Sequence, residues 1–139
     1  MAINLRILTH TKTVYEETVL SVSLPASGGM MGVLPRHLPF VVLLDIGIVT
    51  AQQANDVLFE CLISSGIAYL INDDLTVFAE EAETFEAADL DQAHAAFEHA
   101  KRWGEQHRFN PQVRMIGEKL LRRAENRIKI IKSRKEKNP

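Results

Sequence analysis

The chain is predicted to be an α+β protein, an N-terminal antiparallel β-sandwich followed by a C-terminal antiparallel two-helix hairpin, and three observations carry that prediction. As far as about residue 88 the apolar residues come in short runs broken by Gly, Pro, Asn and Asp, at the roughly 8 to 12 residue spacing of sandwich or flattened-barrel strands. From Asp89 onward they recur at steps of three and four, the helical period. Charge divides near the same point. Residues 1–100 hold three basic against fourteen acidic side chains, a net −11, and residues 101–139 hold thirteen against four, a net +9. The overall −2 therefore conceals two bodies of opposite sign, an asymmetry that points to a partner. The boundary is drawn at 87/88, with a sandwich domain over 1–87 and a helical hairpin domain over 88–139.

The strands follow in order. Ile3, Leu5 and Ile7 alternate with Asn4, Arg6 and Leu8 as in a half-buried strand. Thr13–Glu17 and Val19–Leu24 read as two more, the second ended by Pro25. Ala26 to Gly29 is expected to be a loop, and the stretch Gly29 to Pro39 to form tight turns, since Pro35 and Pro39 exclude a helix. Phe40–Leu44 and Ile46–Thr50 are apolar runs meeting at Asp45 and Gly47. Val57–Ile63 and Ile67–Ile71 make a hairpin about Ser64-Ser65-Gly66, and Leu75–Ala79 follows a turn at Asn72-Asp73-Asp74. Acidic Glu80–Glu86 suits a last edge strand, charged against recruiting another chain.

Both helices carry start signals. Asp89 is a good N-cap with Gln92 placed to reach back to it, and the helix should run to about Gln106 with Leu90, Ala93, Phe97, Ala100 and Gly104 on one stripe. Asn110-Pro111 supplies a second cap and a proline at the first helical position. Val113, Ile116, Leu120, Ala124, Ile128 and Ile131 then hold helical spacing. Two narrow stripes facing each other leave wet flanks, so this hairpin is expected to be the least stable and most movable part.

Composition sets outer bounds. An apolar share of 46% and a charged share of 24% over 139 residues fit one soluble domain, or a small one with an appendage. No apolar run approaches the ~20 residues that span a bilayer, and the first ten residues alternate rather than forming a signal-peptide core, so neither membrane insertion nor a leader is expected. Cys61 is the sole cysteine and lies in an apolar run, which fits a buried thiol in a reducing compartment.

Gly29-Met30-Met31-Gly32-Val33-Leu34-Pro35-Arg36-His37-Leu38-Pro39 resembles the G-x-x-G-x-L-P-x-H-x-P segment of the epsilon subunit of rotary F-type ATP synthases. The resemblance continues through Ile46-Gly47-Ile48-Val49, through Ser65 to Glu80 and over the helical hairpin, so it spans nearly the whole chain in order. It implies a ten-stranded sandwich that grips the gamma subunit and rests on the c-ring. It also implies two helices that reach the alpha and beta subunits and can oppose ATP hydrolysis, and a peripheral station on the cytoplasmic face of a bacterial inner membrane. Contact residues carried over are Met30, Met31 and His37 on the sandwich and Arg122, Arg123 and Arg127 on the second helix. Two departures stand out: Met30-Met31 replace an acid-bearing pair where the family meets the c-ring, and Arg36 stands where glycine is usual.

Some members of that family bind ATP through I/L-D-x-x-R-A and later arginines. Leu90, Asp91 and Ala95 match, Arg123 and Arg127 match the later pair, and His94 replaces the first arginine. Four residues apart, Arg123 and Arg127 share a helix face and could clamp a phosphate. A largely neutral imidazole in place of a permanent cation weakens such a site, so no cofactor is required and ATP is at most a regulatory ligand. His94, His99 and His107 lack metal-ligand spacing, and no phosphate loop, nucleophile elbow or Cys/His metal motif occurs. The chain is therefore expected not to be an enzyme by itself. An alternative reading, nucleic-acid binding by the basic second helix, lacks aromatic residues interleaved with the cations after Phe109, and a partner of that kind is not expected.

Overall fold

A computed structural model describes residues 1–84 and 90–137, with side chains described as far as Ser133. The chain falls into two compact units, Met1–Glu86 and Ala87–Pro139.

Ten strands form the first unit: β1 (Ile3–Leu8), β2 (Thr13–Val19), β3 (Ser21–Ala26), β4 (Gly29–Val33), β5 (Phe40–Leu44), β6 (Gly47–Gln52), β7 (Leu58–Ile63), β8 (Gly66–Ile71), β9 (Asp74–Ala79) and β10 (Ala82–Thr84). Their order is β10-β7-β6-β3-β5-β8-β9-β1-β2, with β4 paired to β3. The link between the halves is thin, because β3 meets β5 only where Ala26 opposes Leu44. There the sheet folds over, and the halves enclose one apolar core. Ile3, Leu5 and Ile7 from β1, Val22 and Leu24 from β3, Cys61 and Ile63 from β7 and Leu75 and Val77 from β9 are all buried in it. At about 1.5–3 kcal/mol for each large aliphatic side chain fully withdrawn from water, this interior dominates the unit's stability. Tyr15 stacks on Phe59 at 3.8 Å between centroids and receives a hydrogen bond from the Gln53 amide.

Three details depart from expectation. Pro25 does not end its strand: β3 runs on to Ala26, the Pro25 carbonyl accepts from the Asp45 N–H at 2.9 Å, and the proline ring covers Gly47 so closely that a Cβ there would sit 2.6 Å from it. The glycine-rich stretch is itself a strand, because Gly28 (φ 104) and Gly29 (φ 141) supply the left-handed turn and leave Met30 to Val33 free to pair with β3. One pair is parallel, β1 beside β9 in the register Leu5↔Leu75. These strands are far apart in sequence, so no short connection constrains their direction.

In the second unit α1 (Leu90–Gln106) and α2 (Pro111–Lys137) pack on each other. Asn110 Oδ1 caps α2 by accepting from the N–H groups of Gln112 and Val113 at 3.1 and 3.3 Å. The cap expected at Asp89 lies outside the described residues, as does the end of the acidic strand beyond residue 84. On α1, Ala93 and Ala100 are buried as the stripe required. On α2 the inward line is Val113, Gly117, Leu121, Ala124, Ile128 and Ile131, while Ile116 and Leu120 face out at 55% and 40% exposure. The cause is Trp103. A Cβ at 117 would lie 3.1 Å from its indole and 3.4 Å from the Cα of Gly104, so only glycine lets the helices close around that ring. Seating Gly117 inward turns Ile116 and Leu120 away.

Candidate partner-binding surfaces

Loop 34–39 is held by its neighbours rather than by regular structure. Arg36 adopts a left-handed backbone (φ 68), and its N–H donates to the Asp73 carboxylate at 2.7 Å. His37 N–H donates to the Leu34 carbonyl at 3.2 Å, its Nδ1 donates to the Leu38 carbonyl at 2.8 Å, and its ring meets Phe40 edge-on. Leu34 and Leu38 project into solvent at 64% and 79% exposure. Met30 and His37 do not share a patch. Met30 is exposed near the β3–β4 turn, whereas His37 lies beyond the other end of β4, and Met31 packs partly against the core.

A surface that sequence reasoning passed over is the outer face of β5, β8 and β9. The register sets Leu43 beside Ile67 and Ile67 beside Phe78, with Val41 beside Tyr69 one pleat away. Val41, Leu43, Ile67, Ile71 and Phe78 are all exposed. A contiguous apolar strip of this kind is a mark of an interaction site.

On the hairpin, Arg122 is exposed, and Arg123 and Arg127 are half-buried. Because Gly117 lies against Trp103 and Gly104, the antiparallel register carries Arg127 alongside the first turns of α1, where Asp91 and His94 stand. Asp91, Arg123 and Arg127 are each already engaged in interactions within the chain. Arg114 forms an exposed pair with Glu118 at 3.9 Å, the kind worth only a few tenths of a kcal/mol. His94 and His99 are exposed, and His107 stacks on Trp103 with its Nδ1 donating to the Trp103 carbonyl at 2.8 Å. No described helix is long and apolar enough to cross a membrane.

Residues 2–85 match the family model for the ATP synthase delta/epsilon chain, β-sandwich domain. The ATP synthase epsilon chain of Prochlorococcus marinus is 35% identical over 101 residues, covering 73% of this chain and 74% of that protein. The chloroplastic epsilon chain of Pelargonium hortorum is 28% identical over 134 residues, covering 96% of this chain and 87% of that one. Among solved structures, a chain of the Euglena gracilis mitochondrial ATP synthase superposes with a TM-score of 0.68 at 24% identity, over 86% of this chain and 75% of its own length, a likeness of fold. None of these relatives supports the nucleic-acid reading of α2. Strand order, helical hairpin and sequence agree, and the chain belongs to the ATP synthase delta/epsilon family.

Proposed function

We propose that the chain is the non-catalytic, epsilon-type subunit of the central stalk of a rotary ATP synthase, coupling proton-driven rotation to ATP synthesis on the cytoplasmic face of a bacterial inner membrane. In this reading the apolar outer face of β5, β8 and β9, together with the loop around His37, docks on the gamma subunit. The end of the unit carrying Met30 rests on the c-ring, through an apolar rather than an ionic contact. The cationic α2, with Arg122, Arg123 and Arg127, reaches acidic surface on the alpha and beta subunits and opposes ATP hydrolysis. Regulatory ATP binding through Asp91, Arg123 and Arg127 is weak, since His94 supplies no permanent charge and those residues have other interactions to give up.

The observation that carries the reading is the exposed apolar strip on a sandwich of this family. A contiguous face that holds five large hydrophobic side chains in water is explained by a partner that covers it. Co-expression with the gamma subunit tests it. The wild-type chain is expected to co-purify with gamma, and Phe78→Asp to release it by burying an unpaired charge. Co-purification unchanged by Phe78→Asp would remove this face from the interface.

A further inference from the structure

The apolar strip runs into a cleft at one end of the sandwich, where the β1–β2, β3–β4 and β7–β8 turns gather. Its walls are Leu43, Ile67 and Phe78, and its rim carries Asp45, Glu80 and His10. The apolar walls and the carboxylate rim suit one kind of guest. A lysine or arginine side chain has an apolar stem that covers hydrophobic surface and a charged head that stays at the edge. Asp45 is set in place for such a head. Its N–H donates to the Pro25 carbonyl at 2.9 Å, and its carboxylate accepts from the Ser27 hydroxyl at 3.3 Å. The wider field agrees in sign, because residues 1–86 hold three basic against eleven acidic side chains. A cation approaching this end meets attraction from the rim and from the unit behind it.

We propose that this cleft receives a basic segment of the gamma subunit, with the stem of an arginine or lysine lying on Leu43, Ile67 and Phe78 and its head on Asp45, beside Glu80, which keeps an interaction of its own within the chain. The proposal rests on the reading of this face as gamma-docking and adds the chemistry of what docks. Arginine suits the site better than lysine, since a planar guanidinium can lie on the Phe78 ring and still pair with a carboxylate. The strip supplies most of the affinity, while the rim selects the partner and speeds encounter.

The test is titration of the full-length chain into isolated gamma subunit at low and moderate ionic strength. It uses wild type, the double variant Asp45→Asn/Glu80→Gln, and Phe78→Asp, each with its thermal midpoint measured to confirm folding. The double variant is expected to bind about tenfold more weakly at low salt, and its affinity to fall less steeply as salt is raised. Phe78→Asp is expected to abolish binding. If the double variant matches wild type in affinity and salt dependence while Phe78→Asp abolishes binding, the basic-segment proposal is overturned and the docking face stands. If Phe78→Asp binds like wild type, the docking face fails and the proposal with it. Sedimentation of the chain alone covers the remaining occupant: a wild-type dimer that Phe78→Asp disperses would assign the cleft to a second copy and overturn the proposal.

Discussion

Arg36 shows how a single position can be set by its neighbour. A non-glycine residue in the left-handed region costs about 1–2 kcal/mol, and this one is kept there by the bond from its N–H to Asp73. Arg36→Gly removes the strain but loosens the unfolded chain by about 0.4–1 kcal/mol, so the net expectation is a gain of roughly 0.5 kcal/mol in denaturant unfolding. Asp73→Ala should lose about 1 kcal/mol, whereas Asp73→Asn, which keeps the acceptor and tolerates φ 63, should be nearly neutral. Equal losses from both Asp73 variants would show that the loop does not depend on that bond. Cys61 makes a second case. Burial lifts its thiol pKa from 9.0 to about 11, so between those values the unfolded chain gives up a proton that the folded chain keeps. Stability should therefore fall as pH rises through 9 to 11, and the fall should be shallower in Cys61→Ala, measured as unfolding free energy against pH. Identical slopes would place the alkaline loss elsewhere.

At the scale of elements the hairpin is closed by a fit between one large side chain, Trp103, and one absent one, at Gly117. Gly117→Val is expected to drive Trp103 out from between the helices, with lower helicity by circular dichroism and a red-shifted emission from this sole tryptophan. The sandwich unit should keep its own unfolding transition; unchanged emission would mean that the helices re-pack without opening. The elements were legible where a local signal is strong. Asn110-Pro111 announced α2, and alternation announced β1. Two positions of the α2 stripe were misread by one residue because Val113, Ile116 and Leu120 satisfy a helical period as well as Val113, Gly117 and Leu121 do, whereas Val113, Ala124, Ile128 and Ile131 face inward as expected. Only the partner helix, through Trp103, decides between them. The exposed apolar strip was hidden for a related reason. Phe40–Leu44 is apolar on both faces, and such a run looks the same whether its outward side chains are covered by the same chain or by another. Placing Leu43 beside Ile67, and Ile67 beside Phe78, takes the sheet register, which joins residues 24 and 11 positions apart.

For the whole molecule the decisive property is the opposition of charge along the chain, net −8 over residues 1–86 and net +6 over 87–139. A body and an arm of opposite sign require different partners, and the two contacts should answer differently to salt. Apolar docking through β5, β8 and β9 is little screened, whereas attraction between exposed cations on α2 and an acidic surface weakens once the Debye length shrinks to about 10 Å near 0.1 M salt. Inhibition of ATP hydrolysis by a reconstituted catalytic head carrying gamma and this chain is therefore expected to fall as ionic strength rises, while the chain stays bound. Reversing exposed charges with Lys119→Glu, Arg122→Glu and Lys129→Glu should relieve inhibition several-fold at low salt and make little difference at high salt, where attraction is already screened. A chain ending at residue 88 should support ATP synthesis without inhibiting hydrolysis. If the triple reversal inhibits as well as wild type at every salt concentration, the arm works by shape rather than charge, and its cations are only a solvated face.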